Sequence, residues 1–223
     1  MAGLFCCLDS QPNWCYNNIK QIPKNFIFMK EKGITLVEII IAILIVTLFS
    51  AILISDFPRI LKQFALSRAT YKLAQDLRKT QDFGLSGVKT SDNQEELIIA
   101  KGYGVYFNLS NDTEYIIYAD RGENPDFRYN GIGQFCIDND QKDIDCILES
   151  IDISKENPDL FISGINNIDS NYTSINFVPP NPTTEIENIS YGNFRIGIVL
   201  GLRFEPSRTR TVWVNKSGLI QIK

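Results

Sequence analysis

The feature that most constrains this chain is an apolar run near its N-terminus. From Ile34 to Ile54 the sequence reads ITLVEIIIAILIVTLFSAILI, in which Glu38 is the single charged residue. A helix needs about 20 apolar residues to cross the hydrocarbon core of a bilayer. The run is longer than the core of a secretory signal peptide, and no small-x-small cleavage site follows it directly. It therefore predicts a transmembrane helix, with a buried helix of a soluble protein as the alternative.

The charges that flank the run predict its orientation. The acidic residue Asp56 follows it, whereas basic residues precede it. Because basic residues are retained on the cytoplasmic side of membranes, the N-terminus is expected in the cytoplasm and the rest of the chain outside. The preceding basic residues are Lys20, Lys24, Lys30 and Lys32.

The start of the run carries a motif. The segment from Lys32 to Glu38, KGITLVE, resembles the processing site of the type IV pilin and type II secretion pseudopilin superfamily. The resemblance implies that a prepilin peptidase cleaves between Gly33 and Ile34 and that Ile34 is then N-methylated. It also implies three further partners: other pilin or pseudopilin subunits, an inner-membrane assembly platform, and membrane lipid before assembly.

The charge of Glu38 offers a physical explanation for the motif. A carboxylate inside a membrane helix costs about 2.5 to 3.5 kcal/mol and normally marks a function or a partner. Cleavage would expose an amine at Ile34, four positions before Glu38 and so on the same helix face. The two opposite charges would neutralise each other within one chain or between neighbours, and the resemblance implies the neighbour. Glu38 is therefore expected to set the register of subunit assembly.

The residues before the cleavage site are expected to be a leader peptide, residues 1–33. The methionines of the chain are Met1 and Met29. The segment from Met29 to Gly33 would by itself form a short basic leader, so translation is expected to begin at Met29. A longer leader that begins at Met1 is the alternative.

A second helical segment is expected directly after the transmembrane half, which is assigned to residues 34–57. Residues 58–87 alternate between apolar and polar positions with a helical period, so one stripe must cover other structure. The helix is expected to run from 34 to about 83, with a bend at Pro58 and glycines at its end. The stretch LAQDLRKTQDFGL resembles minor pseudopilins of the GspH/FimT group. The stripe consists of Leu66, Ala69, Leu73 and Leu77.

Beyond the helix, residues 88–223 are expected to form a β-rich head with an antiparallel sheet. Within 194–205, apolar residues at alternate positions up to Phe204 are expected to face the core. Lys216–Gly218 predicts a tight hairpin. The ending VWVNKSGLIQI resembles FimT-like head domains, so the expected fold is α+β and pilin-like: a long N-terminal helix packed on an antiparallel sheet. The strand-like runs are 103–108, 115–120, 173–178, 194–205, 209–215 and 219–223.

Two cysteines lie in the expected head. Cys136 and Cys146 are near in sequence, and an oxidising compartment would allow them to form a disulfide. Two buried free thiols that pack as small apolar residues are the alternative.

The same loop contains four aspartates, and closely spaced carboxylates are ligands that calcium prefers. Their order does not match an EF-hand, so a solvated acidic loop is the favoured interpretation and no metal is assigned. The four residues are Asp138, Asp140, Asp143 and Asp145.

Three arginines near the C-terminus are candidates for phosphate contact: Arg203, Arg208 and Arg210. FimT-like relatives can bind DNA through C-terminal arginines, so the resemblance raises DNA capture as a second function. Glu205 lies among them and the chain carries a formal charge of −4. Surface ion pairs are therefore the favoured interpretation.

The chain contains no histidine, which excludes the commonest general base and the histidine-dependent nucleophile arrangements. The sequence thus favours a structural subunit without enzymatic activity or cofactor: a minor pilin or pseudopilin of a type IV pilus or type II secretion-like filament. The alternatives are a DNA-binding competence pilin and a signal-anchored exodomain with an unrelated ligand. Its expected place is the bacterial inner membrane, and a filament after assembly.

Overall fold

The computed structural model describes residues 33–87, 89–91, 97–121, 126–130, 133–136, 145–179 and 183–223. The chain divides into two compact units, Met1–Ala51 and Ile52–Lys223. The described part of the first unit is almost entirely helical, and the second unit carries the sheets. The expected leader, including Met29 but not Gly33, lies outside the described residues.

A single long helix, α1, extends from Leu36 to Ser86 and confirms the predicted helix. Pro58 lies inside it and does not end it. The helix stops where Gly87 adopts a left-handed φ of +56°, the conformation that commonly terminates helices and that glycine adopts without steric cost.

The strands of the described residues form three antiparallel sheets. A five-stranded sheet has the order β5-β4-β3-β7-β8, a four-stranded sheet has the order β11-β10-β9-β6, and β1 pairs with β2. The strands are β1 (Lys89–Ser91), β2 (Leu97–Ile99), β3 (Gly102–Asn108), β4 (Glu114–Asp120), β5 (Cys146–Asp152), β6 (Leu160–Asn166), β7 (Tyr172–Val178), β8 (Thr183–Ile186), β9 (Arg195–Leu202), β10 (Glu205–Asn215) and β11 (Ile220–Ile222).

The predicted helical stripe lies in the main core. Leu66, Ala69, Leu73 and Leu77 are all buried, in one cluster with residues of both larger sheets. The helix therefore covers the inner faces of these sheets, and burial of its apolar stripe stabilises the α+β fold.

The run 194–205 is not one strand, which corrects the expectation for Phe204. β9 ends at Leu202 and β10 begins at Glu205, and these two residues pair across the turn. Alternation holds only within a strand, so the turn residue Phe204 leaves the core face and is 77% exposed. The apolar positions within β9, by contrast, are buried as expected.

The predicted C-terminal hairpin is confirmed. Val212 of β10 pairs with Ile222 of β11. Gly218 has a φ of +79° and donates its N–H to the carbonyl of Asn215 at 2.8 Å. Glycine therefore supplies the left-handed position that this turn requires.

Position 104 in β3 accommodates only glycine, because a buried tyrosine ring fills the space beside it. Gly104 pairs with Tyr118, and a Cβ at position 104 would overlap the Tyr118 ring. The Tyr118 hydroxyl lies 2.6 Å from the Ser174 hydroxyl in the interior. We expect Gly104→Ala to lower the free energy of unfolding by about 1 to 3 kcal/mol, since the ring must move. Urea unfolding of the detergent-solubilised full chain measures this.

The matched control is Gly164→Ala in β6, because a Cβ there meets nothing within 4 Å. Its effect is expected to stay within about 0.5 kcal/mol. Equal losses in the two variants would contradict the steric explanation for Gly104.

Candidate functional site

The first turn of α1 places Glu38 at the beginning of the helix. Thr35 precedes the helix, and its Oγ1 accepts a hydrogen bond from the Glu38 N–H at 3.3 Å. The Thr35 carbonyl accepts from the same N–H at 3.0 Å. Thr35 thus caps the helix, and the Glu38 carboxylate is favourable near the positive end of the helix dipole.

The apolar half of α1 has no covering structure among the described residues. Its large side chains are exposed, from 48% for Ile45 to 74% for Leu36. Within the described part of the chain, α1 is the one helix long and apolar enough to cross a membrane. An exposed apolar surface of this length fits a single-pass membrane anchor.

Cys136 and Cys146 form a disulfide, with Cα atoms 4.8 Å apart. Both cysteines are buried, in a small cluster with Ala100, Tyr103 and Ala119. The disulfide interpretation of the sequence is therefore confirmed over that of free thiols. By closing a short loop, it is expected to stabilise this part of the head by about 3 kcal/mol.

Asp145 is the one aspartate of the acidic loop that lies among the described residues. Burial raises the pKa of its carboxyl to about 6, although the Asn130 N–H, which donates to its Oδ2 at 2.8 Å, favours the charged form. Because this pKa exceeds the usual value for aspartate, ionisation of Asp145 lowers stability as the pH rises through about 6. Its environment is that of a buried side chain rather than of a solvated loop.

Most of the calcium ligands considered from the sequence lie outside the described residues. Asp138, Asp140 and Asp143 lie outside the described residues. The residues that the structure describes contain no group of three or more side chains able to hold a metal ion.

Arg203 is held in an ion pair. Its Nη2 donates to Asp112 Oδ1 at 2.7 Å, and its guanidinium lies 4.8 Å from the centre of the Phe161 ring. These contacts satisfy the charge within the protein, as the ion-pair interpretation of the arginines expects.

The other two arginines differ from each other. Arg208 Nε lies 2.7 Å from Glu205 Oε2. Arg210 has no ion pair within the described part of the chain. DNA contact by these residues stays a prediction. Salt-sensitive binding of duplex DNA that is lost in the Arg208→Ala/Arg210→Ala variant would test it.

Arg208 and Arg210 border an open groove of about 490 Å³ between α1 and β10. Arg210 lies two positions before Val212, whose side chain is buried in the core, so the core-facing side of β10 becomes cationic at Arg210. The helix contributes Ile60 and Phe64 to the opposite wall. The groove thus combines apolar and basic side chains.

Thr35 is the site residue that the sequence analysis overlooked. Thr35 and Glu38 match the capping-box pattern of Ser/Thr followed three residues later by Glu/Gln, which was readable from the sequence. The pattern gives Glu38 a local role in the helix beside its expected role in assembly. The ion pair of Arg203 with Asp112, by contrast, has no local signal.

No family model and no curated protein matches this chain. Among solved structures, it is similar to the crystal structure of the type IV minor pilin FimU of Pseudomonas aeruginosa. The two share 12% sequence identity with a TM-score of 0.42, and the match covers 73% of this chain and 90% of that chain.

Proposed function

We propose that this chain is a minor pilin or pseudopilin, a structural subunit of a type IV pilus or type II secretion-like filament. The observation that carries the proposal is the two-part character of α1, which begins within the KGITLVE motif. The half that begins with Glu38 is apolar and exposed. The later half packs its apolar stripe against the sheets, where the stripe is buried. An anchor that also carries a packed head is what such a subunit needs.

In this proposal a prepilin peptidase cleaves between Gly33 and Ile34 and methylates the new amine. The subunit then waits in the bilayer, where lipid covers the exposed apolar half of α1. The assembly platform transfers the helix from lipid to neighbouring helices. The charge of Glu38 is costly in both surroundings unless it meets an amine, so it selects the docking register.

The proposed location is the bacterial inner membrane, with a cytoplasmic N-terminus and an extracytoplasmic head. The orientation rests on the lysines before the apolar run. The disulfide between Cys136 and Cys146 supports it, since disulfides persist in oxidising compartments outside the cytoplasm. The proposed role requires subunit contacts and no catalysis.

Glu38→Gln tests the proposal, because it removes the charge and keeps the size of the side chain. We expect at least a tenfold loss of the chain from sheared filaments, since the partner amine would remain buried and unpaired. The amounts of processed chain in the filament and membrane fractions, in cells that contain the peptidase and the other subunits, measure the effect.

The matched control is Asp56→Asn, an exposed carboxylate of the same helix that pairs with Arg59 at 3.9 Å. It is expected to enter filaments at the level of the unsubstituted chain. Filaments that contain the Glu38→Gln variant at full level would overturn the assembly role of Glu38. A chain that stays uncleaved beside an active peptidase would instead favour a signal-anchored exodomain.

A further inference from the structure

Within the second unit, large apolar side chains are exposed on the part of α1 that follows the apolar run and on a neighbouring turn. Phe204 in the turn between β9 and β10 is 77% exposed, and Phe64 of α1 is 66% exposed. The Phe204 ring lies 5.0 Å from Lys62 Nζ, which places this turn beside the helix. Exposed apolar groups that cluster at one place on a protein mark a contact surface.

Basic side chains accompany these apolar groups. Arg208 and Arg210 border the groove that also contains Ile60 and Phe64. We call Ile60, Leu61, Phe64, Phe204, Arg208 and Arg210 the basal surface. Aromatic side chains together with arginine and lysine are typical of the interface between a membrane and water.

The spacing of residues along α1 is compatible with a position at that interface. The apolar run ends at Ile54, and Lys62 beside Phe204 is eight residues further along the same helix, about 12 Å at 1.5 Å per residue. The headgroup layer on each side of a bilayer is about 5 to 8 Å thick, and transmembrane helices tilt by about 20°. Long arginine and phenylalanine side chains therefore reach the headgroup layer from this position.

We propose that the basal surface rests on the headgroup layer of the membrane that holds the apolar run, where Phe204 enters the interface and Arg208 and Arg210 bind phosphates of anionic phospholipids. This inference rests on the membrane anchoring in the proposed function. Charge complementarity commits the surface to anionic lipid, because Arg210 has no ion pair within the described residues and Glu205 offsets only part of the remaining charge.

Lipid contact would give the subunit one defined position before assembly. Lys62 pairs with Asp159 at 2.7 Å and so holds the helix beside the segment that leads into β6. Filament assembly would then have to release the basal surface from lipid as well as extract the helix.

Fluorescence quenching by brominated lipids tests the proposal on the full chain in vesicles. The variant is Phe204→Trp, and the matched control is Tyr191→Trp, whose parent residue is fully exposed. Tyr191 precedes β9 and Phe204 follows it, so a strand about 27 Å long lies between the two positions. Neither substitution touches the core, and the signal of the parent chain's own tryptophans is subtracted from both.

In phosphatidylglycerol vesicles with bromine near the glycerol end of the acyl chains, we expect several-fold stronger quenching of Phe204→Trp than of Tyr191→Trp. The Arg208→Ala/Arg210→Ala substitution should lower the ratio of docked to free heads by about 30-fold. Neutral phosphatidylcholine vesicles should also weaken the quenching.

Equal quenching at the two positions would overturn the proposal. Quenching that stays the same in the Arg208→Ala/Arg210→Ala variant and in neutral vesicles would also overturn it. Quenching that depends on the ratio of protein to lipid would show that a second copy occupies the surface, which also overturns it. Extraction of the chain from vesicles by alkaline carbonate would refute the membrane anchor itself. That last result contradicts the proposed function, whereas the others leave it intact.

Discussion

Co-expression with a prepilin peptidase is expected to convert the full chain into one that begins with N-methylated Ile34. Intact mass and N-terminal sequencing of the membrane-bound protein measure both changes, and the effect is all-or-none. The physical reason is accessibility. Gly33 lies before the first residue of α1 and is exposed, so the cleavage site is outside the helix and accessible to a membrane peptidase at the start of the apolar run.

Gly33→Val is the variant that should block this conversion. A Cβ at position 33 meets nothing within 4 Å, so the substitution leaves the described fold unchanged and acts only on recognition by the peptidase. A chain without peptidase serves as the second control. An intact N-terminus in the unsubstituted chain with an active peptidase would refute the processing motif, together with the expected amine partner of Glu38.

Leu73→Ala is expected to lower the free energy of unfolding of the head by about 2 to 5 kcal/mol, because it opens a cavity in the interior. Leu73 is 0% exposed and lies in the main core with residues of both larger sheets. Leucine and alanine have similar helix propensities, so the loss reports packing rather than helix formation. Urea unfolding of the full chain in detergent measures it.

Leu61→Ala on the same helix is the matched control, since Leu61 is 51% exposed. Its effect is expected to remain within about 0.5 kcal/mol. If both variants lost the same stability, the helix would be held by its own hydrogen bonds rather than by its buried stripe.

The sequence predicted those elements whose pattern repeats over many residues. The stripe that contains Leu73 follows the helical period over several turns, and β9 alternates along its whole length. Such patterns report directly which face is buried, so they are readable without knowledge of the neighbouring elements. The hairpin that ends in Gly218 was readable for a different reason, since its turn needs glycine.

Five strands were missed: β1, β2, β5, β6 and β8. The last three show why local patterns were not enough. β5 reads CILESID and β6 reads LFISGIN, and neither combines clean alternation with turn residues at both ends. β8 has only four residues. Each pairs with a strand of stronger pattern, so their strand conformation is imposed by tertiary contacts rather than by local preference.

The contacts between side chains were likewise predictable only where the two residues lie near each other in the sequence. Cys136 and Cys146 are near in sequence, so their pairing was open to prediction. Arg203 pairs with Asp112, a residue 91 positions earlier, and no local pattern connects them. Neither Arg203 nor Phe204 is a residue type that commonly signals a turn. For this reason Phe204 was wrongly expected in the core.

The later half of α1 contacts the sheets at separate points along its length, and this arrangement has a mechanical consequence. Lys62 binds Asp159 before β6, Asp76 accepts a hydrogen bond from Tyr115 of β4 at 2.5 Å, and Gly84 lies against the backbone of Phe177 in β7. Tension along the helix axis would load these contacts together, in shear, instead of peeling them away one after another. The head is therefore built to carry a pull on its helix without coming apart from it.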